Sequence, residues 1–291
     1  MFKKKSKIVL GTVRFSGVYG IANNNRLLKL SEIKKIISYA SKNNIRYLDT
    51  AIAYKKTNHF LRKIDLKKFK ITSKLPMIKT NNKKNIHLEI FKTINNHLKQ
   101  LNIKDLYALY LHHPDDLKKK NAKNLIFALK KLKKDNVVKK IGFSVYSIKQ
   151  LNDLIKIYKP DIVQLPLSVF DNRFRKKNFL KKLQEKKIEI HVRSIFFQGG
   201  LTCNYQTLNK KLSFPKIFYS RWQNWLKRKN INNIRGALSI LYNLKNVKVV
   251  VGVENKDQLI EINKEINKKL LEPPIINVPK QILKKLYNFN I

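Results

Sequence analysis

The sequence predicts an α/β chain folded as a single (β/α)8 TIM barrel, and three observations predict it. Strand-like and helix-like segments alternate from one end to the other, the pattern of a parallel sheet with crossover helices. Eight apolar runs read as strands. Polar residues fall at or just past the carboxyl ends of seven of them, at Asp49, Lys74, His112, Ser144, Gln164, Arg193 and Gly252. A barrel enzyme distributes its site over strand ends in this way, whereas an open sheet gathers it near one switch point. The 291 residues suit a barrel of about 250 as well as two smaller domains, so length alone does not decide.

The strand centres are Ile8 to Phe15, Ile45 to Leu48, Phe69 to Ser73, Leu106 to Leu111, Lys140 to Val145, Asp161 to Leu167, Ile188 to Val192 and Val247 to Val251. Between them, Ser31 to Ser41, Ile86 to Leu101, Ala122 to Lys134 and Ile148 to Tyr158 carry apolar residues at helical spacing, with Ser31 and Ser147 as expected N-caps. The interval from Arg193 to Gly252, 59 residues, is about twice the typical one and includes an aromatic-rich stretch from Tyr205 to Trp225. That region, about 199–230, reads either as an extra helix on the barrel or as a loop covering ligand. Lys256 to Leu270 reads as a helix, and the tail, about 271–291, closes with a second helix from Gln281 to Tyr287. With no linker and no internal repeat, residues 1–291 are expected to form one domain.

Composition narrows the class. Lys and Arg number 64 against 18 Asp and Glu, for a formal net charge of +46. Only ten of the 64 are Arg, and the lysines are spread along the whole chain. A nucleic-acid surface would concentrate its charge and favour the bidentate guanidinium, so nucleic acid is not the expected partner. Cys203 is the one cysteine, which excludes an internal disulfide and a cysteine zinc cluster, and no metal site is expected. The apolar stretch after the basic start is broken by Gly11 and Arg14, and no run reaches the roughly eighteen apolar residues of a membrane span. The expectation is a soluble cytoplasmic protein with no membrane partner. Nothing in the sequence reports the oligomeric state.

The stretch that organises the chemistry is Leu48-Asp49-Thr50-Ala51-Ile52-Ala53-Tyr54. An apolar run delivers a carboxylate and, five residues later, a phenol. A buried aspartate needs a cation or donors, and Lys74, closing the third strand, is the candidate partner. The fourth strand ends in His112-His113-Pro114. Asp49, Tyr54, Lys74 and His112, in that order at three successive strand ends, resemble the catalytic tetrad of the aldo-keto reductases.

The resemblance covers most of the chain. It implies hydride transfer between a nicotinamide cofactor and a carbonyl or alcohol, with Tyr54 as acid, Lys74 lowering its pKa, Asp49 fixing Lys74, and His112 orienting the substrate. Leu10-Gly11-Thr12 is similar to the first strand end of that family, which places Gly11 and Thr12 beside the nicotinamide. Ser144 and Gln164 match residues that hold the carboxamide, although Val145 stands where the family has Asn. Arg193 replaces an aromatic that stacks on the ring and could stack itself, or pair with a substrate carboxylate or phosphate. Ser194 and Gln198-Gly199-Gly200 fit the stretch near the pyrophosphate. Gly252, Glu254 and Gln258 fall in the segment resembling the adenosine-end site. The family preference favours NADP(H) over NAD(H), while Glu254 opposes a bound 2′-phosphate. The motifs around Gly11-Thr12-Val13-Arg14-Phe15 and Tyr19-Gly20-Ile21-Ala22-Asn23 resemble a bacterial branch associated with sugar or surface-polysaccharide metabolism. The competing readings are a non-catalytic, cofactor-sensing or partner-binding member of the same fold, and an anion or nucleic-acid binder.

Overall fold

The computed structural model describes residues 6–17, 19–22, 26–77, 86–175 and 178–288; Asn23 of the second motif lies outside them. Eight strands form the barrel: β1 (Ile8–Gly11), β2 (Tyr47–Asp49), β3 (Lys70–Leu75), β4 (Ala108–Leu111), β5 (Ile141–Ser144), β6 (Ile162–Pro166), β7 (Glu189–Arg193) and β8 (Val247–Gly252). They pair in sequence order, all parallel, and β8 returns to β1 with Ile8 opposite Val249 and Gly11 opposite Gly252. Strands covered on both faces read as continuous apolar runs, and β1, β4, β5 and β6 are buried at every residue.

The surrounding helices are α1 (Leu30–Lys42), α2 (Lys55–Leu61), α3 (Ile86–Leu101), α4 (Ala122–Lys134), α5 (Ile148–Ile157), α6 (Phe179–Glu185), α7 (Tyr205–Leu212), α8 (Lys216–Lys229), α9 (Asn233–Leu238), α10 (Lys256–Ile266) and α11 (Lys280–Asn288). α1 shows why they pack: Ile33, Ile36, Ile37 and Ala40 lie on one face and are buried while its lysines stay outside. Each such isoleucine contributes about 1.5 to 3 kcal/mol by leaving water. Ser147 caps α5 as expected, its hydroxyl accepting from the Gln150 N–H at 3.1 Å. Ser31 does not cap α1. The helix begins at Leu30, and the Glu32 carboxylate accepts from the Lys29 N–H at 2.8 Å.

Two other expectations change. β1 stops at Gly11 instead of reaching Phe15, because Val13–Ser16 curl into a 3-10 turn that buries Phe15 in the core. That turn aims Arg14 into the mouth of the barrel. The aromatic region is helical: α8 buries Trp222 and stacks it on Trp225, with centroids 5.5 Å apart and planes 18° apart. Gly236 of α9 lets these rings approach, since a Cβ there would stand 2.6 Å from Trp222 Cη2. Tyr205–Leu212 and Lys216–Lys229 of this region are thus helices packed on the barrel, while Gly199 and Thr202 line its cavity.

A polar plug closes the amino end of the barrel. Glu189 accepts from Tyr107 at 2.6 Å, Lys140 at 2.5 Å and Lys248 at 2.7 Å, and its other contact is His191 Nε2 at 2.9 Å. Burial alone would raise this carboxyl's pKa; the four donors outweigh it and hold it below the usual range. His191 Nδ1 meets the Tyr110 hydroxyl at 3.0 Å, carrying the polar chain up the barrel axis.

Candidate active site

Above the plug, at the carboxyl ends of the strands, lies a cavity of about 880 Å³. Asp49 ends β2, Lys74 is the fifth residue of β3, His112 follows β4, and Tyr54 stands immediately before α2. All four line the cavity, so residues spaced over 64 positions of sequence share one wall. Lys74 Nζ donates to Asp49 Oδ2 at 2.5 Å and to the Thr50 carbonyl at 3.2 Å, both side chains being almost fully buried. The other carboxylate oxygen accepts from Thr72 Oγ1 at 2.9 Å and Gln164 Nε2 at 2.8 Å. Asp49 is thus satisfied on both oxygens, the condition for keeping a carboxylate in a barrel interior.

The Lys74 ammonium stands 5.9 Å from the centroid of the Tyr54 ring. The expectation that it lowers the Tyr54 pKa is not met. Burial first, and then the charge of Asp49, push the phenol above its ordinary value. Tyr54 consequently keeps its proton at neutral pH. Burial also depresses Lys74, against the pull of Asp49. His112 is lowered to about 3, first by burial and then by the Lys74 ammonium and Arg193 guanidinium, so its imidazole is neutral at pH 7 and has one N–H to donate.

Of the residues expected at a cofactor, Gly11, Ser144, Gln164, Arg193, Ser194, Gly252, Glu254 and Gln258 line the same cavity. Thr12 does not. It is fully buried, its hydroxyl donating to the Asp49 carbonyl at 3.0 Å and its own carbonyl accepting from Thr57 at 3.3 Å, so it ties β1 to β2 and α2. Glu254 is ion-paired with Arg14, and Gln258 Oε1 accepts from the Glu254 N–H at 2.8 Å. Sequence reasoning missed Arg14 as a site residue, along with Tyr19, Tyr146 and Tyr287. Arg14 and Tyr19 sat in recognised motifs, but nothing in the sequence signals that Tyr287 of the last helix turns into the barrel mouth. The loop after β7 carries Ser194, Phe197 and Gln198 at φ of 59°, 52° and 56°, left-handed values that cost about 1 to 3 kcal/mol each in non-glycine residues and tend to mark functional loops.

Residues 7–274 match the model of the aldo/keto reductase family. The chain belongs to the aldo/keto reductase family. Solved structures of similar fold include an aldo-keto reductase from Bacillus halodurans in its holo form, with TM-score 0.70, 14% identity, and coverage of 97% of this chain and 91% of that one. A thermostable aldo-keto reductase in complex with the inhibitor epalrestat gives TM-score 0.66 and 16% identity over 98% and 95%. A Pseudomonas aeruginosa protein assigned to the same group gives 0.66 and 15% over 90% of each chain. A search of curated proteins gave no significant match. Membership supports an oxidoreductase that handles carbonyl compounds with a nicotinamide cofactor. No helix among the described residues is long and apolar enough to cross a membrane, and among them no group of three or more His, Cys, Asp or Glu could hold a metal ion.

The wall of this reductase fits such a cofactor. Gln164 spends its amide N–H on Asp49 and leaves Oε1 buried without a hydrogen-bond partner among the described residues. An orphaned buried acceptor carries a desolvation cost of about 1 to 3 kcal/mol, and a primary carboxamide would relieve it.

Proposed function

We propose that this aldo/keto reductase reduces an aldehyde or ketone, or oxidises the corresponding alcohol, with NADP(H) preferred over NAD(H). The observation that carries the reading is the Asp49–Lys74 pair buried against Tyr54 and His112 in one cavity whose wall also offers the orphaned Gln164 acceptor. A reduced nicotinamide, when bound, supplies the hydride. Tyr54, protonated at neutral pH, gives its proton to the substrate oxygen as negative charge develops there. His112, neutral, donates a hydrogen bond to that oxygen and fixes the carbonyl orientation. Asp49 holds Lys74 charged, and the ammonium near the phenol stabilises the tyrosinate left after proton transfer.

Gln164 and Ser144 hold the carboxamide in this reading, and Gly11 lets the ring approach the first strand end. Ser194 would bind the pyrophosphate. Gly252, Arg14, Glu254 and Gln258 would hold the adenosine end, with Arg14 offsetting Glu254 so that a 2′-phosphate would be tolerated. The chain works as one domain, 1–291, in the cytoplasm, on a small carbonyl or alcohol; the motif resemblance points toward sugar-derived carbonyls. The test is a fluorescence titration with NADPH and NADH, followed by a panel of aldehydes and ketones monitored by NADPH oxidation. Saturable NADPH binding with turnover of at least one carbonyl is the expected result. Failure to bind either dinucleotide would overturn the reading.

A further inference from the structure

Among the described residues, the buried charges in the cavity wall are balanced except one. Lys74 is paired with Asp49, and Arg14 with Glu254. Arg193, at the last position of β7, forms no ion pair among the described residues, although its guanidinium lines the cavity. Its central carbon lies 4.5 Å from the Tyr146 ring centroid and 5.6 Å from that of Tyr287. Nη1 reaches Ser194 Oγ only at 3.5 Å, and Nη2 is shielded from water with no hydrogen-bond partner among the described residues. Asp171, which meets the Tyr287 hydroxyl beyond that ring, is already engaged: Arg173 holds it through two bonds of 2.7 and 2.8 Å. Tyr287 thus meets both groups, its hydroxyl bonding Asp171 and its ring lying beside Arg193.

A guanidinium held by aromatic faces, with an N–H turned away from water and unpaired, is costly unless an anion completes it. We propose that Arg193 is a substrate-recognition residue that binds a carboxylate on the carbonyl compound, making the natural substrate an oxo acid rather than a neutral aldehyde. The inference rests on the carbonyl-reductase reading and narrows its substrate class. One uncompensated buried positive charge matches one negative charge, which fits a carboxylate; a phosphate dianion would leave an excess charge among the phenols. The planar fork of Arg193 suits the two carboxylate oxygens, and the rings of Tyr146 and Tyr287 keep the fork in place.

The test is calorimetric titration with 4-carboxybenzaldehyde and its neutral amide, 4-carbamoylbenzaldehyde, with and without NADP⁺, for wild type and for Arg193→Met and Arg193→Lys. Wild type should bind the carboxylate at least about tenfold more tightly than the amide, as hydrogen bonds to a charged group imply. Arg193→Met should bring the ratio to about one, and Arg193→Lys should restore part of it. A wild-type ratio near one, or a ratio kept by Arg193→Met, overturns the inference. If NADPH affinity drops in Arg193→Met while the carboxylate ratio is kept, Arg193 serves the cofactor instead and the inference fails while the reductase reading stands. The titrations without NADP⁺ decide the matter even if no aldehyde is turned over, an outcome that would count against the reductase reading alone.

Discussion

Replacing Lys74 by Met removes the one cation that compensates Asp49 inside the barrel. The carboxylate would keep its Thr72 and Gln164 donors at 2.9 and 2.8 Å, both on Oδ1, while Oδ2 would lose its ammonium at 2.5 Å. Breaking a buried pair costs about 3 to 5 kcal/mol, and the surviving donors place this case near the lower end, about 3 kcal/mol. At about 2.1 cal/mol/K per residue, each kcal/mol moves the melting temperature of a 291-residue chain by about 1.6 °C, so Lys74→Met should melt about 5 °C below wild type at pH 7. Adding Asp49→Asn removes the stranded charge but leaves a side chain that can still accept from Thr72. The double variant is therefore expected to recover at least a third of the loss. Differential scanning calorimetry of the three proteins at pH 7 measures the effect, and equal melting temperatures for single and double variants would refute the buried-pair argument.

Other outcomes follow from the same geometry. Arg14→Met leaves Glu254 without its cation at the adenosine end, so the ratio of NADH to NADPH dissociation constants should fall at least about tenfold, about 1.4 kcal/mol, in parallel fluorescence titrations; an unchanged ratio would place the 2′-phosphate elsewhere. His97 and His112 have pKa values lowered to about 4 and about 3, mainly by burial. The unfolded chain binds protons at these sites below its ordinary histidine value, about 6.5, while the folded chain does not. Stability should therefore be full above that pH and fall toward pH 4, by up to about 1.4 kcal/mol per pH unit for each histidine. A urea midpoint that stays flat from pH 7 to 5 would contradict this. Gly142 of β5 has no room for a methyl group, because a Cβ would enter the Ile162 carbonyl oxygen of the neighbouring strand. Gly142→Ala should cost about 1 to 3 kcal/mol in urea denaturation.

The barrel was legible because parallel strands buried on both faces write themselves as apolar runs, and because strand ends carry the polar residues. Asp49, Lys74 and His112 could be picked out on that ground alone. The errors share a cause. Alternating apolar residues Val13 and Phe15 extend the first strand pattern, yet Phe15 is buried by a turn, which periodicity cannot distinguish from a strand over so few residues. Thr12 stands next to Gly11, but its hydroxyl is consumed within the scaffold. What the sequence withheld is long-range pairing. Arg14 with Glu254, Gln164 with Asp49, and Tyr287 beside Arg193 join positions 94 to 240 residues apart, and local pattern carries no information on which distant side chains meet. The tuning of Tyr54 was misjudged because the nearby cation was foreseen, whereas the burial of the phenol and the charge of Asp49, which together raise it, depend on distant packing that spacing does not report.

The central claim is that Tyr54 is the proton donor of a carbonyl reductase. Its most direct test is single-turnover oxidation of enzyme-bound NADPH by a carbonyl substrate from the panel, comparing wild type with Tyr54→Phe. The variant should bind NADPH as wild type does and transfer hydride about 10²- to 10⁴-fold more slowly, the usual contribution of a general acid. Wild-type single-turnover rates in Tyr54→Phe would show that the proton comes from elsewhere.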